Sequence, residues 1–229
     1  MTNANTLSII IPIYNEERTL RTVVDRIRLL GAPIEIILVD DGSTDGTPEI
    51  VRSYEAQGIA VRTHRKNMGK GKAIATGVAI ATGEVVAIQD ADLEYNPDEL
   101  LTLAEPILEH RADIVFGSRF LKKNPTLYWR YYFGNILMSF LISAIVFRKI
   151  TDTYTCYKLF RRDIIQSFKL FSRGFEVEAE LSVRTAKSPY RFIELPISYT
   201  PRSITEGKKI SWKDGIKGLI TAVKTRLIA

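Results

Sequence analysis

Apolar positions in the first half of the chain come in two alternating rhythms. Leu7 to Ile13 is an apolar run with four isoleucines and Pro12 near its end, which predicts a buried strand. Beyond Tyr14-Asn15-Glu16-Glu17, residues Leu20, Val23, Val24, Ile27 and Leu30 recur at helical spacing, and Gly31-Ala32-Pro33 closes that helix. Ile34 to Val39 predicts a second strand, Thr47-Pro48 opens a second helix, and Ile59 to Thr63 predicts a third strand. A small-residue helix is expected from Ala73 to Ala81. Gly83 to Ala87 then predicts a buried strand that runs into Ile88-Gln89-Asp90-Ala91-Asp92. Asn96-Pro97-Asp98 starts a helix to about Glu109, and Asp113 to Gly117 gives one more short strand. Such alternation over the first 120 residues predicts an α/β fold with a doubly wound, mostly parallel central sheet flanked by helices.

Two later segments follow a different pattern. Tyr131 to Phe147 is the most apolar stretch, bounded by Arg130 and by Arg148-Lys149. It is shorter than the roughly 20 residues that a bilayer crossing needs. Asn135, Ser139 and Ser143 recur every four residues and draw a narrow polar stripe along it. A helix lying in a bilayer surface or docked on the domain fits that stripe, and a plain core helix is the alternative. Near the C-terminus, Trp212, Ile216, Leu219, Ile220, Val223 and Leu227 share one helical face. Lys213, Lys217 and Lys224 line one border of that face and Arg226 the other. This is the pattern of an interfacial amphipathic helix; packing on its own domain or on a dimer partner would also use it. The division expected is a main domain over 1–210, including an apolar helix at 131–149, and an amphipathic C-terminal helix over 211–229.

Composition narrows the chemistry. The 229 residues are 45% hydrophobic, enough for a sizeable core. A net charge of +6 favours anionic partners such as phosphorylated substrates or acidic lipid. The basic residues are dispersed and carry no reading motif, so nucleic acid is not an expected partner. Cys156 is the only cysteine, which excludes an intrachain disulfide and suits a cytoplasmic location. His64 and His110 are the only histidines, so a histidine-built metal site is not expected. The first strand lacks G-x-G-x-x-G, which disfavours a dinucleotide cofactor. Met1 to Leu7 lacks the pattern of a signal peptide, and no transmembrane anchor is expected after the last helix.

Against this background Asp90 and Asp92 stand out. They follow a buried strand, at the sheet edge where open α/β sheets bind ligands. Two carboxylates this close repel, and a divalent cation would relieve them; Mg²⁺ or Mn²⁺ takes few carboxylates plus the oxygens of a diphosphate. A solvated loop is the other reading. Arg65 to Lys72, basic and glycine-rich before a helix, offers the same choice between phosphate approach and solvated surface lysines.

Three motifs occur together in order: Ile9-Ile10-Ile11-Pro12-Ile13-Tyr14-Asn15-Glu16, Val39-Asp40-Asp41-Gly42-Ser43-Thr44-Asp45-Gly46-Thr47 and Gln89-Asp90-Ala91-Asp92-Leu93. They resemble the inverting family 2 glycosyltransferases of GT-A fold. Gly117-Ser118-Arg119-Phe120, Thr155 to Phe160 and Gly174 to Glu178 look like the polyprenyl-phosphate hexose synthases, among them the dolichyl-phosphate mannose synthases. The likeness extends to about Asp214, with one departure: Asp152-Thr153-Tyr154-Thr155-Cys156 replaces a more usual glycine-containing turn.

The resemblance implies transfer of a hexose from a nucleotide sugar of the GDP-mannose or UDP-glucose type to a polyprenyl phosphate, with inversion. It implies that Pro12, Tyr14 and Glu16, with Asp41 or Asp40, line the nucleoside pocket. Asp90 and Asp92 would hold the metal and the diphosphate. Arg119 and Arg130 would meet the acceptor phosphate, and Arg202 and Lys208 would close over the diphosphate. The enzyme is expected in the cytoplasm, peripheral on the inner face of the membrane, with a homodimer as an option. A family 2 enzyme with a hydroxyl acceptor is the alternative, with Asp152, Glu176 or Glu178 as its base. A nucleotide-sugar-binding module without turnover is the other.

Overall fold

The computed structural model describes residues 7–202 and 212–228. The first half follows the alternation in the sequence: β1 (Leu7–Ile13), α1 (Leu20–Arg28), β2 (Ile34–Asp40), α2 (Thr47–Glu55), β3 (Ala60–Thr63), α3 (Lys70–Val78), β4 (Val85–Ile88), α4 (Glu99–Leu108) and β5 (Ile114–Ser118). Then come α5 (Trp129–Val146), β6 (Lys158–Arg161), α6 (Arg162–Ser167), α7 (Val177–Lys187), β7 (Phe192–Pro196) and α8 (Trp212–Ile228). Seven strands form one sheet in the order β3-β2-β1-β4-β6-β5-β7, parallel except for β6, which runs antiparallel to both neighbours. The isoleucines of β1 are buried because helices cover both faces of the strand, and Leu20, Val23, Val24 and Ile27 of α1 bury the stripe that the periodicity predicts.

The strand order places the switch point. The chain moves outward from β1 through β2 to β3, then returns to lay β4 on the other side of β1. Ile13 pairs with Asp40, Asp40 with Thr63, and Ile10 with Ile88. The turns after β1, β2 and β4 therefore open on one sheet edge, where this topology leaves a crevice.

Several expected boundaries shift by a few residues, that of α3 among them. The helix expected from Ala73 begins three residues earlier, at Lys70. Gly69 makes this possible: its φ is +97°, and a Cβ there would lie 2.4 Å from the carbonyl oxygen of Arg173. The first turn of α3 is thereby pressed against the loop that precedes α7, and Lys70 becomes part of the interior.

Helix α5 is not a core helix, because its polar stripe faces inward. Ser139 Oγ accepts the Thr153 amide at 2.9 Å, and Ser143 Oγ donates to the Ser139 carbonyl at 2.7 Å. Trp129, Phe133, Leu137 and Phe140 face outward, Phe140 with 67% of its surface exposed. Helix α8 repeats the inversion. Gly218, Thr221, Ala222 and Thr225 are buried, while Ile216, Ile220, Val223 and Leu227 on the opposite side are exposed. Of the apolar face read in the sequence, Leu219 turns inward to a second small core formed by Ile142, Val146, Ile150, Ala179, Val183 and Ala222. Both helices thus dock through small or polar residues beside Ile142, Val146 and Leu219 of that core, and present a row of large apolar ones outward, as an ordinary surface helix does not.

Gly218 sets the closeness of this docking. A Cβ there would lie 1.8 Å from the Tyr154 hydroxyl oxygen and 3.2 Å from Tyr154 Cζ. Gly218→Ala should therefore cost about 1–3 kcal/mol, the usual range for overpacking. Tyr154→Phe removes the nearest atom and should recover much of that loss. Urea denaturation of both single variants and the double variant measures the coupling; additive effects would show that the contact is not tight.

Candidate functional site

The turn after β1 is shaped by Asn15, which sits at φ 55°. Its backbone N–H donates to Ser43 Oγ at 3.0 Å, and its side-chain oxygen accepts the Thr44 amide at 2.8 Å. Glu16 donates its amide to Thr47 Oγ1 at 3.0 Å. The acidic, hydroxyl-rich turn after β2 thus serves as scaffold for the turn after β1, presenting Pro12, Tyr14 and Glu16 to a cleft of about 510 Å³.

Asp41 lines this cleft and Asp40 does not. Asp40 is the last residue of β2, buried beneath the turn, with its Oδ1 accepting the Ser43 amide at 3.0 Å. Asp41 lies one residue further and points the other way. Its Oδ1 accepts the Met68 amide at 2.9 Å and its Oδ2 the Gly69 amide at 2.7 Å. His64 Nδ1 lies 2.6 Å from Oδ1, and His64 Nε2 lies 3.0 Å from Thr76 Oγ1.

The end of β4 supplies the second wall. Asp90 donates its amide to Cys156 Sγ at 2.9 Å, Gln89 takes a 2.6 Å hydrogen bond from Tyr157, and Gln89 Nε2 donates to the Asp90 carbonyl. This frame holds Asp90 and Asp92 together on the cleft. Burial, and then the charge of Asp90, push the Asp92 carboxyl up to about 7. Two cations answer the acidic pair. Lys70 Nζ lies 2.7 Å from Asp90 and 2.9 Å from Glu178. Arg202 reaches Asp92 at 2.9 Å and Glu16 at 3.3 Å. Burial works against the Lys70 ammonium, but Asp90 and Glu178 outweigh it and hold its pKa well above the ordinary lysine value. Among the described residues no group of three or more His, Cys, Asp and Glu is placed to hold a metal ion. The donors available are the two carboxylates, which suits Mg²⁺ or Mn²⁺ completing its shell with diphosphate oxygens and water.

Arg119 stands where the cleft meets a second groove of about 240 Å³. That groove is built from the 120–132 segment, with Phe120, Trp129 and Tyr132 among its aromatic walls and Lys122 and Lys123 beside them. Arg119, Tyr131, Asn135 and Tyr199 line both spaces. Arg119 grips buried Asp152 in a fork, Nε to Oδ2 at 2.7 Å and NH2 to Oδ1 at 2.8 Å, with its ring neighbour Tyr199 5.0 Å away. Burial disfavours the guanidinium charge, but Asp152 more than restores it. Arg130 lies outside both linings: it is exposed, with its guanidinium 4.9 Å from the Tyr131 ring. Lys208 falls outside the described residues.

The three carboxylates considered as bases are all engaged. Asp152 holds Arg119. Glu176 accepts the amides of Arg173 and Gly174 at 3.2 and 3.0 Å. Glu178 bridges Lys70 and Lys158, the latter fully buried with Nζ 2.5 Å from the carboxylate. Sequence reasoning offered Asn67 and Lys70 only within Arg65 to Lys72, as one of two readings of that segment, and did not place His64, Tyr154, Asn135 or Tyr199 at the site. The one legible signal was Lys70 itself, flanked by Gly69 and Gly71, which marks a lysine at a helix start pressed close to other backbone.

Residues 8–168 match the family model described as "Glycosyl transferase family 2". A dolichol-phosphate mannosyltransferase of Pyrococcus furiosus is 30% identical over 88% of this chain, which spans 58% of that relative's length. A dolichyl-phosphate hexose transferase of Haloferax volcanii is 30% identical over 86% of this chain and 84% of its own. Among solved structures, glucosyl-3-phosphoglycerate synthase from Mycobacterium tuberculosis, in complex with Mn²⁺, UDP-glucose and phosphoglyceric acid, superposes with a TM-score of 0.76. It is 22% identical and covers 98% of this chain and 81% of its own, so the likeness is one of fold, the GT-A arrangement.

Proposed function

Because this chain belongs to glycosyl transferase family 2 and is a glycosyltransferase, we propose that its acceptor is a polyprenyl phosphate and its donor a nucleotide-activated hexose. The observation that carries this reading is the junction at Arg119. Between the acidic cleft and the aromatic groove stands a buried cation, and each candidate base nearby is committed to another partner. A hydroxyl acceptor needs a base to take its proton. A phosphate monoester, with its second pKa near 6, is already ionised at neutral pH and needs only cations to hold it beside the donor. Asp152 takes one edge of the Arg119 fork; the remaining edge would meet the acceptor phosphate, and the apolar chain would leave through the groove. The two relatives named for dolichyl-phosphate substrates support the same choice.

On the donor side, Pro12, Tyr14, Glu16 and Asp41 would hold the nucleoside. Asp90 and Asp92 would hold a divalent cation, which supplies charge neutralisation to the diphosphate when bound. Lys70 and Arg202 sit beside those carboxylates and would exchange their carboxylate contacts for phosphate oxygens, Arg202 with Lys208 from the following segment. The acceptor oxygen then attacks the anomeric carbon from the face opposite the nucleoside diphosphate, so configuration inverts.

The membrane would be met by the outer faces of α5 and α8. No described helix is long and apolar enough to cross a bilayer. The outward residues Trp129, Phe133, Phe140, Ile220 and Leu227 instead suit immersion to the depth of the headgroups on the cytoplasmic leaflet. Lys217 and Lys224 flank that stripe and would attract anionic lipid.

Two outcomes follow. Purified protein given GDP-mannose or UDP-glucose and a short polyprenyl phosphate should transfer the hexose with Mn²⁺ or Mg²⁺ and stop in EDTA. Asp92→Ala should lower the rate at least 100-fold, about 2.7 kcal/mol of barrier, with the melting curve preserved; near-normal turnover by that variant in EDTA would refute the metal assignment. In the second experiment, Phe133→Ser/Phe140→Ser/Ile220→Ser and, separately, Lys217→Gln/Lys224→Gln are sedimented with anionic vesicles. The serine variant should lose binding at every salt concentration, and the glutamine variant chiefly at low salt, by about 1 kcal/mol per charge. Undiminished binding by both would place the lipid contact elsewhere.

A further inference from the structure

His64 closes β3 and belongs to none of the three motifs, yet its ring is enclosed between the cleft residue Asp41 and the Thr76 hydroxyl of α3. Its side chain is 11% exposed and that of Asp41 3%. The contact with Asp41 fixes the role of Nδ1. A carboxylate oxygen has only lone pairs to offer, so Nδ1 must hold the hydrogen at 2.6 Å from Asp41 Oδ1. Nε2 faces the Thr76 hydroxyl at 3.0 Å, a group that can donate to a bare ring nitrogen and accept from a protonated one. The backbone amide of His64 donates to the Asp40 carbonyl at 2.8 Å, which anchors the ring to the strand end next to Asp41.

The lone pairs of Asp41 can be counted. A carboxylate has about four sites. The Met68 amide and His64 fill those of Oδ1, and the Gly69 amide takes one on Oδ2. One site on Oδ2 remains, on a side chain that lines the cleft among Pro12, Tyr14 and Asn67. We propose that His64 is a positioning residue of the nucleotide subsite: through Nδ1–H it locks the Asp41 carboxylate so that its last acceptor site meets a ring N–H of the donor's base. Uracil and guanine carry such an N–H; cytosine and adenine present a bare ring nitrogen at the corresponding edge. His64 and Thr76 thus act at one remove, by withholding from Asp41 the rotation that a lone buried carboxylate would have. The inference rests on reading the cleft as a nucleotide-sugar site.

The test is calorimetric binding of UDP and GDP, with Mn²⁺, to wild type, His64→Asn, His64→Ala and Thr76→Val, alongside melting curves. Asparagine places an N–H close to the position of Nδ1, so His64→Asn should keep affinity within about threefold of wild type. His64→Ala should weaken the preferred nucleotide about tenfold, raising the donor KM with kcat little changed, and Thr76→Val should fall between. Equal affinity for wild type and His64→Ala would overturn the proposal. So would equal losses in the alanine and asparagine variants that track their melting temperatures, which is the pattern of a merely structural histidine. A wild type that binds neither UDP nor GDP would instead overturn the nucleotide-sugar reading beneath it, a result distinct from both.

Discussion

Two carboxylates at the end of one buried strand govern much of this molecule. Asp90 and Asp92 both line the cleft at the end of β4, where Cys156, Gln89 and Tyr157 frame the backbone. Like charges held this way in a partly desolvated cleft are costly unless cations stand beside them. Lys70 and Arg202 answer that demand, and much of the surrounding structure answers Lys70 in turn. Its burial requires Glu178, Glu178 balances Lys158, and Lys158 ties down the carbonyls of Thr153 and Thr155. The segment that carries Asp152, and with it Arg119, is therefore braced by the same alternation of charge that neutralises the acidic cleft. The acidic cleft and the aromatic groove share one electrostatic framework.

The fold of the first 120 residues was legible because parallel strands buried on both faces leave continuous apolar runs, and the helices between them keep a clean stripe. The later half hid its elements for physical reasons. β6 has only four residues and begins with buried Lys158, which no hydropathy pattern assigns to a core strand. α7 buries Glu178 and Glu180 among its apolar positions, so its inward face reads as polar. In α5 the sequence showed a polar stripe on an apolar helix without saying which side faced the protein, and Ser139 and Ser143 prove to be the docking side.

Most of the residues that line the candidate site could be named from motifs, and their wiring could not. Pro12, Tyr14, Glu16, Asp41, Asp90, Asp92, Arg119 and Arg202 converge on one cleft. Between Asp40 and Asp41 the choice depends on where β2 ends, a matter of one residue. Arg130 shows a similar sensitivity: at the first turn of α5 it stacks on Tyr131 outside the groove instead of reaching into it. His64, Lys70 and Glu178 act through partners far away in sequence, and such pairings become visible only when the sheet edge is assembled.

Competition between two acceptors identical but for the phosphate distinguishes an ionised acceptor from a neutral one. A short polyprenyl phosphate and the corresponding polyprenol, each offered with saturating nucleotide sugar and Mn²⁺, ask whether the Arg119 junction serves an ionised acceptor. The phosphate should accept the hexose while the alcohol remains unglycosylated across pH 6–9. Transfer to the alcohol at a comparable rate, rising with pH as a base loses its proton, would show that the junction serves a hydroxyl acceptor and not a phosphate.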